Sequence, residues 1–225
     1  VHVHRDRPRD PEPVEGLDQL PTEEPGVATD GQRASGASAA VIVWPDILGL
    51  RPAFRQMGKR LAESGYAVLT VNPFYRKAKS PVVPAGASFA DQKTRDIVMP
   101  LAQSLNATTN VTDAKAFVAW LDTQAVVDKR RKIGTTGYCM GGPITMRTAA
   151  AVPGRVGAAA SFHGGGLVTD QPDSPHLLVP QMKAHYLIAI AENDDQREPA
   201  AKDVLREAFT KASLPAEIEV YAGAM

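Results

Sequence analysis

The chain has 225 residues, with 25 Lys and Arg against 25 Asp and Glu, 44% apolar residues and 22% charged ones. That length fits one large domain, and that balance builds an ordinary core, which excludes disordered, collagen-like and coiled-coil chains. Zero formal net charge supplies no positive field for nucleic acid or an anionic membrane, and no apolar run approaches the roughly 18 residues of a membrane span.

One Cys precludes an internal disulfide, and the charged, proline-containing start from Val1 to Asp10 is unlike a signal-peptide core. The expectation is a cytoplasmic protein, in which the sequons at Asn106 and Asn110 are chance matches. Residues 1–38 contain no Phe, Tyr or Trp and are broken by Pro8, Pro11, Pro13, Pro21 and Pro25. Such a stretch cannot bury enough apolar area to offset its ordering entropy, so it reads as a poorly ordered leader. His2 and His4 there lack the further ligands a metal needs.

From residue 39 short apolar runs alternate with stretches of helical period. Residues 39–43, 66–71, 133–138, 156–162, 186–191 and 218–221 read as strands buried on both faces. Between them Phe54, Met57, Gly58, Leu61 and Ala62 share one helix face. So do Ala114, Phe117, Val118 and Leu121, and later Ala201, Val204, Leu205, Ala208 and Ala212. Gly65 sits where the first of these helices would be capped. Strand and helix in alternation predict an α/β fold with a mostly parallel sheet and helices on both faces. Residues 74–110, with Pro81, Pro84 and Gly86, interrupt the alternation and read as an excursion over the C-terminal edge of the sheet, where open α/β folds bind ligands.

The sharpest signal is Gly137-Tyr138-Cys139-Met140-Gly141-Gly142, placed after an apolar strand and before the helix-compatible residues 144–151. A nucleophile on a tight strand-to-helix turn needs small neighbours so that the backbone can fold back on itself. Cys139 is therefore the candidate nucleophile, and the following helix N-terminus is expected to lower its pKa. No Ser stands in such a turn, since Ser161 ends a strand without one.

With these residues the chain from about Ala39 onward resembles the dienelactone hydrolase family of α/β-hydrolases. Trp44-Pro45-Asp46-Ile47-Leu48-Gly49-Leu50, the Cys139 turn, Ser161-Phe162-His163-Gly164, Ala191-Glu192-Asn193-Asp194 and Val220-Tyr221-Ala222-Gly223 occur in family order. The resemblance implies a carboxylic-ester or lactone hydrolase that acts on a small molecule through a Cys139 thioester, with no metal or organic cofactor. It implies an oxyanion hole from the backbone N–H groups of Ile47 and Met140, and Asp194, with Asp195 as fallback, as the acid that orients a catalytic His. Tyr138 lies inside the elbow motif. Asp46 stands where the family often has a Glu beside the resting thiol, one methylene longer. Arg76 matches an Arg that grips a substrate carboxylate; the alternative is an ordinary solvated loop Arg.

No His follows Asp194 in the chain, whereas the triad order of this fold class runs nucleophile, acid, His. The sequence stops at Met225, where the family's His-Gly would come next. The expectation is a hydrolase domain over 39–225 cut short of its base and of its last helix, in which acylation proceeds and deacylation stalls. The other arrangement substitutes His163, which leaves the strand after the elbow helix; otherwise His163 only lines the pocket. His185 lies at the opposite edge of the sheet and His176 in a proline-flanked loop with no evident partner. A second function class is a non-catalytic α/β-hydrolase scaffold that binds a small molecule or partner and keeps Cys139 as a redox-responsive thiol. Substrate identity and oligomeric state are not legible.

Overall fold

The computed structural model describes residues 37–224. The leader expected over residues 1–38, with His2 and His4, lies almost entirely outside the described residues. Six strands, β1 (Ala40–Trp44), β2 (Ala67–Thr70), β3 (Ile133–Tyr138), β4 (Val156–Phe162), β5 (His185–Ala191) and β6 (Ala216–Tyr221), form one sheet in the order β2-β1-β3-β4-β5-β6. Every neighbouring pair is parallel. The six apolar runs named from sequence are these six strands, with ends displaced by a residue or two.

Parallel neighbours need crossovers, and the helices supply them. They are α1 (Pro52–Glu63), α2 (Gln92–Gln103), α3 (Ala107–Leu121), α4 (Gly141–Ala151), α5 (Glu192–Arg197) and α6 (Ala201–Lys211), with a 3-10 helix over Pro175–Gln181. The period-2 alternation of β1 divides the core. Ala40, Ile42 and Trp44 join the cluster that holds Phe117 and Leu121 of α3, Met146 of α4 and Phe209 of α6. Val41 and Val43 face the other way, against Leu50 and Phe54 and Ala62 of α1. Helices thus cover both faces, as a buried parallel sheet requires.

The stretch 74–110 is more ordered than its prolines suggested. It contains α2 and the start of α3. The polar sequence of α2, with Pro100 inside it and only Thr94 and Val98 buried, hides its period. The start of α3 does carry a local signal. Thr109 N–H donates to Asn106 Oδ1 at 2.9 Å and Asn106 N–H donates to Thr109 Oγ1 at 2.9 Å, a reciprocal cap. Asn110 is buried.

A buried polar cluster ties this stretch to the core. Asp113 on α3 is 2% exposed. It accepts from the Tyr75 hydroxyl at 2.8 Å and from both terminal nitrogens of Arg76, Nη1 at 2.8 Å and Nη2 closer still. Burial and this hydrogen bond push the Tyr75 hydroxyl well above its ordinary pKa. Removing one partner of such a cluster leaves the others buried and unpaired. Asp113→Ala is expected to destabilise the protein by about 3 kcal/mol, read as a lower urea midpoint at unchanged m-value; an unchanged midpoint would show the cluster to be dispensable.

The strand order reverses between β1 and β3, because the chain runs from β1 outward to β2 and returns to the other side of β1. Open parallel sheets form a crevice at that switch point, beyond the carboxyl ends of the strands. The loop after β1 and the turn after β3 flank it.

Candidate active site

The turn after β3 is a tight strand-to-helix elbow. Cys139 has φ of +51°, a left-handed conformation that costs a non-glycine residue strain and is held only where the surroundings enforce it. Here Cys139 N–H donates to Phe162 O at 3.0 Å and Gly142 N–H donates to Cys139 O at 2.9 Å. The glycines make room for the turn. A Cβ on Gly137 would overlap the carbonyl oxygen of Gly141, and one on Gly142 would lie 2.5 Å from Ser161 Oγ and 2.7 Å from Gly164 Cα. Tyr138 stacks on Phe162 with ring centroids 5.0 Å apart and meets the edge of Phe54 at 5.5 Å, which anchors the turn on both sides.

The loop after β1 lies directly against the elbow. A Cβ on Gly141 would come within 2.9 Å of Pro45 O and closer still to Trp44 O. This approach sets the loop that carries Ile47 against the elbow, and the Met140 and Ile47 N–H groups act to lower the pKa of the Cys139 thiol.

The expectation of a depressed thiol pKa needs correction. Burial pushes the Cys139 thiol up, and the charges of Asp46 and Asp194 add to the rise, against the lowering by the Met140 and Ile47 N–H groups. The helix terminus acts in the expected direction, but desolvation of the thiolate outweighs it. At neutral pH Cys139 therefore rests as the neutral thiol. Alkylation of Cys139 by iodoacetamide is expected to keep accelerating past the usual thiol midpoint near about pH 8.5; a plateau at neutral pH would contradict this.

Asp194 lies on α5, just past the end of β5. Its Oδ2 is buried without a hydrogen-bond partner among the described residues, and Arg197 Nη1 approaches Oδ1 at 3.5 Å. His163, just past β4, has φ of +42° and places Nδ1 3.7 Å from Asp194 Oδ2, with half of its side chain exposed. The fallback acid, Asp195, is engaged elsewhere, by Lys202 Nζ at 2.6 Å. His185 starts β5 at the far edge. His176 does have a partner, Ser174 Oγ at 2.8 Å from Nδ1, contrary to the sequence reading.

Asp46 and Arg76 have partners that the sequence did not reveal. Both carboxylate oxygens of Asp46 are held by the fork of Arg51, at 2.6 and 2.7 Å. The fork of Arg76 is spent on Asp113, and its guanidinium lies over the Tyr75 ring at 4.7 Å. Among the described residues no group of three His, Cys, Asp or Glu could hold a metal ion.

A parallel sheet with a tight strand-to-helix turn at its switch point and an acid at the end of a later strand is the architecture of an α/β-hydrolase. The chain belongs to the dienelactone hydrolase family, whose profile matches residues 27–225. Among curated relatives, carboxymethylenebutenolidase of Rhodococcus opacus is 26% identical over 188 residues, covering 83% of this chain and 69% of its own. The Pseudomonas putida carboxymethylenebutenolidase is 23% identical over 179 residues, covering 80% of this chain and 70% of its own. The solved structure of m3DLH shares the fold, with a TM-score of 0.67, 23% identity, and 87% and 74% of the two chains covered. The protein is a hydrolase of small molecules. No helix among the described residues is long and apolar enough to cross a membrane.

Proposed function

We propose that the protein hydrolyses a small carboxylic ester or lactone through a thioester on Cys139. The observation that carries this reading is a cysteine held at φ of +51° in a tight strand-to-helix turn against the loop that carries Ile47, whose N–H, with that of Met140, favours the thiolate. Donors at that spot face the carbonyl oxygen of an ester whose carbon is attacked by the sulfur.

The Cys139 sulfur adds to the carbonyl carbon as the thiol proton passes to an imidazole, and the oxygen becomes an oxyanion between the two N–H groups. Collapse expels the alkoxide, which takes up the proton. In a lactone the leaving oxygen stays attached and the ring opens. Water, deprotonated by the same imidazole, then cleaves the thioester, releases the acid and restores the thiol. Asp194 orients that imidazole through Oδ2, which is buried and has no hydrogen-bond donor among the described residues. A thiol nucleophile persists in a reducing compartment, which favours the cytoplasm.

His163 is the imidazole beside Asp194 in the described residues. With His163 as the base, His163→Gln lowers kcat as far as Asp194→Asn does, by about 10²- to 10⁴-fold. With His163 only lining the pocket, His163→Gln retains most of the activity while Asp194→Asn loses it. Hydrolysis of p-nitrophenyl acetate tests the reading as a whole. Cys139 is the one cysteine of the chain, so turnover must fall in step with carboxamidomethyl incorporation. Full turnover after complete alkylation would overturn it.

A further inference from the structure

The loop between β1 and α1 carries a clamp. Arg51, at the N-terminal boundary of α1, donates from Nη1 and Nη2 to the two carboxylate oxygens of Asp46, at 2.6 and 2.7 Å, and from Nη1 to Gly49 O at 3.3 Å. Asp46 Oδ1 also accepts the Leu48 N–H at 3.0 Å, and Asp46 O accepts the Gly49 N–H at 2.9 Å. The guanidinium rests 5.0 Å from the ring centroid of Phe54, which itself meets Tyr138 of the elbow. The two side chains are only 26% and 20% exposed. Ile47, whose N–H acts to lower the Cys139 pKa, lies within the stretch that these contacts close.

We propose that Arg51 is a positioning residue of the active site: its two-pronged hold on Asp46 fixes the loop that presents the Ile47 N–H, and its charge balances the carboxylate which that loop brings to Cys139. The inference rests on the reading of Cys139 and Ile47 as nucleophile and oxyanion donor. Two physical arguments support it. A short loop closed by a bidentate ion pair has little freedom, and oxyanion donors act only when held within a few tenths of an ångström of the developing charge. A carboxylate near a buried thiol opposes ionisation of the thiol, and a guanidinium on both of its oxygens offsets that opposition. The charged groups around Cys139 are Asp46, paired with Arg51, and Asp194, which faces His163 and Arg197.

The test combines the pH profile of Cys139 alkylation with the steady-state kinetics of p-nitrophenyl acetate. Arg51→Gln is expected to move the alkylation midpoint up by about 0.5 to 1 pH unit and to lower kcat about tenfold with KM within about twofold. Arg51→Lys keeps the charge without the fork, so the midpoint returns toward wild type while kcat stays low. Asp46→Asn removes the carboxylate charge and keeps that of Arg51, so its midpoint falls below wild type. A wild-type midpoint and kcat in Arg51→Gln overturn the inference. Should that variant fail to fold, an unchanged midpoint in Asp46→Asn or full kcat in Arg51→Lys overturns it. Wild-type protein without Cys139-dependent ester cleavage overturns the functional reading instead, while the alkylation profiles still report on the clamp.

Discussion

Replacing Cys139 by Ala is expected to lower kcat/KM for p-nitrophenyl acetate by about 10⁴-fold or more, because removal of a nucleophile leaves only the binding and oxyanion contributions. The fold should barely respond. The side chain lost is small, the left-handed backbone costs Ala about what it costs Cys, and the Cys139 N–H bond to Phe162 O survives, so Tm should move by less than about 4 °C. Activity loss with retained Tm separates a chemical role from a structural one. A variant that keeps a tenth of the activity would remove Cys139 from the mechanism.

The largest stability effect is expected at Gly137. An added Cβ would overlap the carbonyl oxygen and carbon of Gly141 and stand 2.9 Å from Gly142 N. These are backbone atoms of the elbow and the first turn of α4, so no rotamer change relieves the clash. Gly137→Ala must open the turn, which withdraws Cys139 from the Ile47 and Met140 donors. The expected cost is about 3 kcal/mol or more, with hydrolysis reduced at least about 100-fold even where the protein stays folded. Gly154 supplies the control, because a Cβ there meets nothing within 4 Å; Gly154→Ala should leave Tm and kcat near wild type. Equal behaviour of the two variants would mean that the elbow is looser than its geometry implies.

Much of the fold is legible in the sequence because a parallel sheet buried on both faces forces nearly uninterrupted apolar runs, and the six runs in this chain are its strands. The elbow is legible for a different reason. Gly137 and Gly141 are needed where backbone meets backbone, and such a need leaves a local spacing around the nucleophile. The helix α2 was not legible, since its residues are polar and Pro100 breaks the pattern. Partners distant in sequence were equally invisible. Asp113 lies 37 residues from Arg76, and nothing local to either predicts that they meet. Arg51 is only five residues from Asp46, yet a pair at that spacing is informative only once the loop is known to curl. The rise of the thiol pKa is not legible, because the helix terminus is a local feature, whereas burial and the charges of Asp46 and Asp194 come from elements that are joined only by the tertiary fold.

The positions of Cys139, Asp194 and His163 at the ends of β3, β5 and β4 follow one rule. Loops at the carboxyl edge of a parallel sheet are brought together by the strand order, however far apart they lie in the chain. The mechanism therefore depends on the Cys139 sulfur as the atom that becomes acylated. Its most direct measurement is an intact-mass spectrum after brief incubation with p-nitrophenyl acetate and quenching in acid. The predicted result is a gain of one acetyl group, located on Cys139 by peptide mapping and absent from Cys139→Ala. Release of nitrophenol through many turnovers with no acyl adduct at any quench time, or an acetyl group carried by another residue, would contradict it.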